Sequence, residues 1–315
     1  MRQFKNRKAF TLIELLFVIV IMGIVGGLAL EALRQYYEGI YRTGEYTKRV
    51  AQADQILEQL AKYFENGISA SIIRLDQNDA AFGSVCNGVP VAGDDGNDYT
   101  IAFVAVDDEG VRGFWDGIRW RPGWTSDVLS IGTNLVSADA NYTALDNISD
   151  LDTNPDRAAI FRVDGLGEGA DECHRFGWDL TGLPDTENHT YATIQSVDSD
   201  TNLTLDKVLS ISGQANRAYL LRTAYAFRAR NGVFSMYSGF QPWNGELYSS
   251  VAQRILGDNV AHFTIMYDAS NTTVNSSVGN VYTLKICMNG IDANLNDSTL
   301  PQNQICRERM VHVRY

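Results

Sequence analysis

The chain has 315 residues, of which 45% are hydrophobic, so it is long and apolar enough to fold around a sizeable core. Its formal net charge of -12 disfavours nucleic acid as a partner, because phosphate binding requires clustered lysine and arginine. This composition is typical of folded proteins and excludes a chain that is mainly disordered.

The N-terminal segment is basic and then apolar. The first nine residues contain no acid and four basic residues: Arg2, Lys5, Arg7 and Lys8. Residues 10–30 contain one charge, Glu14, and no proline. About 20 apolar residues span a bilayer core as a helix, and positive charge before a first span keeps that end in the cytoplasm. The segment predicts a single-pass anchor with the rest of the chain across the membrane.

The apolar run has two simpler interpretations: a secretory signal peptide and a plain single-span anchor. A signal peptide has a shorter apolar core that is followed by a small-residue cleavage site, whereas this run is long and helical character continues beyond it. A plain anchor leaves Glu14 unexplained, because an ionised carboxylate within a span costs about 2.5–3.5 kcal/mol on insertion scales. Glu14 therefore has a partner or a function, or it reaches back to the membrane surface one turn away.

Residues 8–16, Lys-Ala-Phe-Thr-Leu-Ile-Glu-Leu-Leu, followed by the apolar run 18–21, resemble the processing signal of type IV prepilins and type II secretion pseudopilins. The resemblance implies that prepilin peptidase cuts between Ala9 and Phe10 and that the new Phe10 amine is N-methylated. The family usually has glycine before the cut, where this chain has Ala9.

The same resemblance implies an assembly role for Phe10, Thr11 and Glu14. In a filament of this family the apolar helices bundle, and a buried carboxylate there needs a positive partner. The family supplies the amine at the mature N-terminus of a neighbouring subunit, so the pair with Glu14 sets the axial register. Many major pilins have a helix-kinking proline where this chain has Glu31, so we expect a straighter helix.

The helical pattern continues beyond the apolar run. Apolar residues spaced three and four apart lie on one helical face: Val50, Ala53, Leu57, Leu60 and Phe64. Asn66-Gly67 is a helix stop signal. The sequence predicts one helix from residue 10 to about residue 65, apolar all round in its first half and amphipathic in its second.

From about residue 80 the pattern favours β-strands. They are predicted over residues 99–106, 159–163, 193–197, 203–211, 218–230, 233–237, 260–267, 281–286 and 309–314. Asn231-Gly232 between two of them is a strong hairpin signal. The fold class is α+β: a long N-terminal helix packed on a mainly antiparallel β-sheet head, similar to large minor pilins of the W type and pseudopilins of the J type.

The predicted organisation has four parts. These are a leader (1–9), a membrane or filament-core helix (10–30), an amphipathic extension (31–66) and a β-rich head (67–315). Within the head, residues 107–190 are rich in Gly, Asp and Trp. This region is an insertion that contacts a target, or a long structural loop region.

Four cysteines in a chain expected to be exported favour two disulfides. Of the three possible connectivities we favour Cys287–Cys306, because it closes a short loop, together with Cys86–Cys173; free buried thiols are the alternative. The ligand spacing argues against a zinc site.

An acidic, Gly-rich turn is a candidate calcium site or a bare turn: Asp94, Asp95, Asn97 and Asp98 supply its oxygen atoms. Its spacing is not that of an EF-hand loop. The four histidines form no metal-binding helical pair, and no GxSxG motif occurs, so the sequence predicts neither an enzyme nor a bound cofactor.

The sequence therefore predicts a structural or assembly subunit, of minor type because its head is large. Its expected location is the bacterial inner membrane, with a cytoplasmic N-terminus and a periplasmic head, and then a pilus or pseudopilus. Its expected partners are other pilin or pseudopilin subunits, prepilin peptidase, the inner-membrane assembly platform and the lipid bilayer. The alternative function is a tip-located adhesin or DNA-uptake minor pilin.

Overall fold

The structure is a computed structural model. It describes residues 11–75, 81–84, 100–115, 117–125, 128, 130–153, 157–162, 176, 178, 191–209, 217–267, 281–289 and 304–313. The chain forms two compact units, Met1–Ala51 and Gln52–Tyr315. The first unit holds most of a long helix, and the second holds the end of that helix together with the sheets.

Helix α1 runs without interruption over Leu12–Glu65, 54 residues, which confirms the predicted helix and gives a length of about 80 Å. Glu31 lies inside it and does not break it. The helix ends at the predicted stop signal, where the Gly67 N–H donates to the Phe64 carbonyl at 3.0 Å. A Cβ on Gly67 would lie only 3.0 Å from the Phe103 ring, so a small residue allows the chain to turn closely against the sheet.

The described head contains two short α-helices and sixteen strands, and every strand pair is antiparallel. The helices are α2 (Asp108–Arg112) and α3 (Tyr142–Ser149). The strands are β1 (Ile73–Leu75), β2 (Ala81–Ser84), β3 (Thr100–Val106), β4 (Phe114–Trp115), β5 (Trp120–Arg121), β6 (Ser130–Ile131), β7 (Asn134–Val136), β8 (Ala159–Arg162), β9 (Tyr191–Ser199), β10 (Asn202–Leu205), β11 (Ala218–Arg230), β12 (Val233–Phe240), β13 (Arg254–Asp258), β14 (Val260–Tyr267), β15 (Val281–Met288) and β16 (Ile305–His312).

The main sheet has eleven strands in the order β2-β1-β3-β11-β8-β9-β10-β7-β6, with β12 paired to β11 and β13 paired to β12. Strands β14, β15 and β16 form a second sheet, and β4 and β5 form a separate hairpin. The predicted turn between β11 and β12 is confirmed: Asn231 and Gly232 both have positive φ, at 51° and 77°, as a type I′ turn requires. The predicted α+β fold class with a mainly antiparallel sheet is therefore confirmed.

Several predicted strands differ from the observed ones by a few residues at their ends, and the two largest differences are at 203–211 and 309–314. The strand predicted over 203–211 ends at Leu205; at the next residue the Asp206 side chain, instead of a backbone carbonyl, accepts from the Thr193 N–H of β9. The strand predicted over 309–314 begins earlier, at Ile305, because pairing with β15 extends the ladder back to that residue.

Strand β3 separates two hydrophobic cores. Its side chains alternate between the two faces of the sheet, as the period of two requires. One core contains Ile101, Phe103 and Ala105, and the other contains Ala102, Val104 and Val106. All seven residues of β3 are buried, so this strand lies between two packed layers.

The first core is closed by the end of α1. The buried residues of the helix are Ala53, Ile56, Leu57, Leu60, Ala61 and Phe64, which confirms four of the five predicted face residues; the fifth, Val50, is half-buried. The Phe64 ring lies 4.3 Å from the Phe103 ring, centroid to centroid. Side chains of β14, β15 and β16 complete this core.

The second core contains described parts of the Gly-, Asp- and Trp-rich region at 107–190. Trp124, Tyr142 and Phe176 are buried in it, and β8 from the same region pairs with β11 in the main sheet. These parts of the region therefore cover the face of the sheet opposite to α1.

Candidate functional site

The first turn of α1 is closed by reciprocal hydrogen bonds between Thr11 and Glu14. The Thr11 N–H and hydroxyl donate to Glu14 Oε2 at 3.2 and 3.1 Å, and the Glu14 N–H donates to Thr11 Oγ1 at 3.4 Å. This is a capping box, in which the two side chains satisfy backbone groups that have no partner within the helix. Glu14 is therefore held in a defined geometry within the subunit itself.

The capping box changes the interpretation of Glu14. A negative charge in the first turn of a helix also interacts favourably with the helix macrodipole. The Thr-x-x-Glu spacing of a capping box is also visible in the sequence, in addition to the charge of Glu14 within an apolar run and its place in the prepilin-like motif. The second carboxylate oxygen, Oε1, accepts no hydrogen bond from the residues that the structure describes.

The helix around Glu14 presents apolar side chains in every direction. Leu12, Ile13, Leu15, Leu16 and Phe17 are each more than half exposed. Within the described part of the chain, α1 is the one helix that is long and apolar enough to cross a membrane. Such a surface is stable in lipid or against other apolar helices. The length and composition of the N-terminal helix therefore suit a membrane anchor.

A charged network follows the apolar run on the surface of α1. Arg34 donates to both carboxylate oxygens of Glu31, at 3.0 and 2.9 Å, and to Glu38 at 2.8 Å; Gln35 donates to Glu31 at 3.0 Å. The hydrogen bonds from Arg34, and secondly from Gln35, lower the pKa of Glu31 from 4.5 to about 2. These contacts at spacings of three and four support the helix where the family resemblance would place a kink.

The predicted Cys287–Cys306 disulfide is formed. The two residues are direct register partners on β15 and β16, with Cα atoms 4.0 Å apart. The bond therefore ties the last strand to the second sheet. The other predicted pair, Cys86–Cys173, lies outside the described residues.

Two further sets of predicted site residues lie outside the described residues. They are the processing residues Ala9 and Phe10, and the candidate calcium turn with Asp94, Asp95, Asn97 and Asp98.

The structure brings together three acids that the sequence analysis did not select. Carboxylate oxygens of Asp146, Asp150 and Asp152 lie within 4.8 Å of one another. Asp146 accepts from the Leu151 N–H at 2.7 Å, and Asp152 accepts from the Val197 N–H at 3.3 Å. Asp146 thus bonds to the chain that follows α3, and Asp152 bonds to β9.

A half-open groove of about 720 Å³ lies in the head, and its basic residues are Lys62, Arg112, Arg222 and Arg254. Arg222 lies 3.9 Å from Asp107, and Arg112 lies 3.7 Å from Asp108, so two of these charges are matched within the groove. The lining, as far as the structure describes it, contains no histidine, cysteine or serine. The groove therefore presents two ion pairs on its described lining.

Comparison with protein families matched residues 4–30 to the family model of the prokaryotic N-terminal methylation motif. The comparisons with curated proteins and with solved structures found no match. The chain thus carries an N-terminal methylation motif, and the matched segment includes Thr11, Glu14 and most of the apolar run. This motif, the apolar N-terminal helix and the antiparallel head are together consistent with a type IV pilin-like or pseudopilin subunit.

Proposed function

We propose that this protein is a minor subunit of a type IV pilus or of a type II secretion pseudopilus. Prepilin peptidase cuts between Ala9 and Phe10, the Phe10 amine is N-methylated, and the apolar helix is retained. The protein waits in the inner membrane and then enters the base of the filament through the assembly platform. The observation that carries the proposal is the methylation motif continuing into one unbroken helix with a capped acid in its first turn.

The charge and the cysteine chemistry support a cytoplasmic N-terminus and a periplasmic head. The four basic residues before Phe10 favour retention of that end in the cytoplasm. The Cys287–Cys306 disulfide belongs to the head, and disulfides persist in oxidising compartments such as the bacterial periplasm. Both observations support a helix that crosses the membrane once.

The geometry of the first turn supports a register role for Glu14. Thr11 occupies Oε2, which leaves Oε1 for a cation from another subunit. In a dry bundle of helices, an amine at the mature N-terminus of the neighbour is a partner of the right charge. A subunit out of register leaves both charges buried and unpaired, which costs several kcal/mol per ion. The pair therefore favours one axial position.

Substitution of Glu14 tests the proposed function. Glu14→Ala is expected to leave membrane insertion intact, because it removes a charge from the apolar run, and to abolish incorporation into filaments. Glu58→Ala removes an exposed glutamate from the same helix outside the apolar run and is the matched control. Fractionation of cells into membranes and sheared filaments measures both properties. Normal incorporation of the Glu14 variant would contradict the register role.

The mature N-terminus tests the processing step independently. Mass spectrometry of the protein purified from membranes is expected to show a chain that begins with N-methylated Phe10. A chain that begins at Met1, or after residue 30, would contradict the proposal.

A further inference from the structure

Exposed apolar side chains are concentrated in one short stretch of the head. Nine large hydrophobic side chains are exposed among the described residues of Gln52–Tyr315, and four of them lie between residues 111 and 120: Val111, Trp115, Ile118 and Trp120. The other five are scattered singly at Ile148, Val208, Leu247, Ile255 and Met310. Single exposed apolar residues are ordinary, but a contiguous group marks an interaction surface.

Three of the four lie on the hairpin of β4 and β5, and Val111 lies on α2 just before it. Trp115 and Trp120 are register partners, and their rings meet edge to face with centroids 6.3 Å apart. Ile118 lies in the connection between the two strands and is 84% exposed, against 55% for Trp115 and 68% for Trp120. The hairpin therefore presents two indole rings and an aliphatic tip to the surroundings.

The base of the hairpin is tied into the fold. The buried Trp124 donates its indole N–H to the Asp107 carbonyl at 3.0 Å, and the Gly123 N–H donates to the Gly110 carbonyl at 2.9 Å. A Cβ at Gly113, where φ is 72°, would lie 1.8 Å from the Arg121 carbonyl oxygen. Trp124 is thus buried and holds the base of the hairpin, whereas Trp115 and Trp120 on the same segment are exposed.

The charge of this segment is opposite to that of the whole protein. The hairpin, residues 114–121, contains two arginines, Arg119 and Arg121, and one acid, Asp116, in a chain of net charge -12, whereas Arg112 on the preceding helix α2 is paired with Asp108. Tryptophan prefers the boundary between lipid and water, where its ring is apolar and its N–H is wet. Arginine is attracted to anionic lipid headgroups. We propose that the Trp115–Trp120 hairpin inserts into the surface of an anionic lipid membrane.

The size of the surface favours lipid over a protein partner. Full burial of one aromatic side chain removes about 150–250 Å² from water, so the exposed parts of these side chains offer a few hundred Å². A standard protein interface buries about 800 Å² on each partner. Interfacial insertion requires only shallow burial, about 5–10 Å deep, of a few apolar groups. The inference concerns the head and does not rest on filament assembly.

Quenching of tryptophan fluorescence tests the inference on the full chain. The purified protein is held in a neutral amphipol and mixed with phosphatidylglycerol vesicles whose acyl chains are brominated. Trp124, Trp178 and Trp243 are at most 8% exposed, so quenching by the vesicles reports on Trp115 and Trp120. Ile118→Ser retains both reporters, and Ile255→Ser is a matched control with an exposed isoleucine on β13.

We expect quenching with anionic vesicles, a partition coefficient about tenfold lower for Ile118→Ser, and no change for Ile255→Ser. We also expect the interaction to weaken with salt and to be at least about fivefold weaker with phosphatidylcholine vesicles. Absence of quenching in the wild type, equal losses in the two variants, or equal binding to both lipids would each overturn the inference. Self-association that depends on Ile118 without vesicle quenching would also overturn it and identify a protein contact.

Discussion

Arg307 on β16 forms a two-pronged ion pair with Asp54 on α1: its Nε donates to Oδ1 at 2.9 Å and its Nη2 donates to Oδ2 at 3.3 Å. Arg307 directly follows Cys306, which is bonded to Cys287 on β15. Strand β16 is therefore attached to β15 by a disulfide bond and to helix α1 by an ion pair. These two attachments differ in strength, and the difference can be measured.

Arg307→Gln is expected to lower the free energy of unfolding by less than about 1 kcal/mol. Both side chains are about half exposed, at 47% and 49%, so water screens the pair. A double-mutant cycle with Asp54→Asn, followed by denaturation in detergent solution, measures the coupling. A coupling of several kcal/mol, insensitive to salt, would contradict this view of the pair.

Replacement of Cys287 and Cys306 together by serine is expected to cost more, about 3 kcal/mol, because the bond closes a loop across 19 residues of sequence and restricts the unfolded chain. Chemical denaturation of the double variant beside the wild type checks the value. An unchanged midpoint would show that pairing of β15 with β16 suffices without the covalent bond.

Phe64→Ala is expected to lower the free energy of unfolding by about 3–5 kcal/mol. The ring is fully buried and packs on Phe103 and Phe227, so its removal leaves a cavity in the core between the helix and the sheet. Lys62→Ala, in the same helical turn but with a 72% exposed side chain, is the control and is expected to change stability by at most about 0.5 kcal/mol. Similar losses in the two variants would contradict the assignment of the buried helical face.

Arg34→Gln is expected to raise the pKa of Glu31 from about 2 towards its ordinary value of 4.5. Because the pKa of Glu31 is lower in the folded state, the stabilisation of the fold by ionised Glu31 is present above pH 4.5 and is lost as the pH falls towards 2. Carboxyl-carbon NMR across that pH window measures the pKa in both proteins. Identical titration curves would show that the hydrogen bonds from Arg34 do not form in solution.

Thr11→Val is expected to reduce incorporation into filaments, because it removes the hydroxyl that bonds to Glu14 in the capping box. Thr11→Ser keeps a hydroxyl and is expected to assemble normally. Loss of an N-cap costs about 0.5–2 kcal/mol, so we expect a partial defect beside the complete one of Glu14→Ala. The ratio of filament to membrane protein gives the comparison, and equal assembly of the two Thr11 variants would count against a role for the cap.

Several features were determined by short-range patterns in the sequence. The apolar run, the residues spaced three and four apart up to Phe64, and the stop at Asn66-Gly67 together specified helix α1 to within two residues at its start. Asn231-Gly232 specified the turn between β11 and β12, because few residues adopt positive φ easily. The methylation motif was equally readable, since it occupies one continuous segment.

Other features were decided by tertiary structure, because they depend on residues far apart in the chain. Nothing local distinguishes Trp124, which is buried, from Trp115 and Trp120, which are exposed on the hairpin. The short strands β1 and β2 form through pairing with β3 and with each other, and not through strong propensity of their own. Local periodicity and turn chemistry thus determined the helix and the hairpin turn. The partners of each strand and the burial of each side chain could be read only from the folded chain, because both depend on contacts between residues that are distant in the sequence.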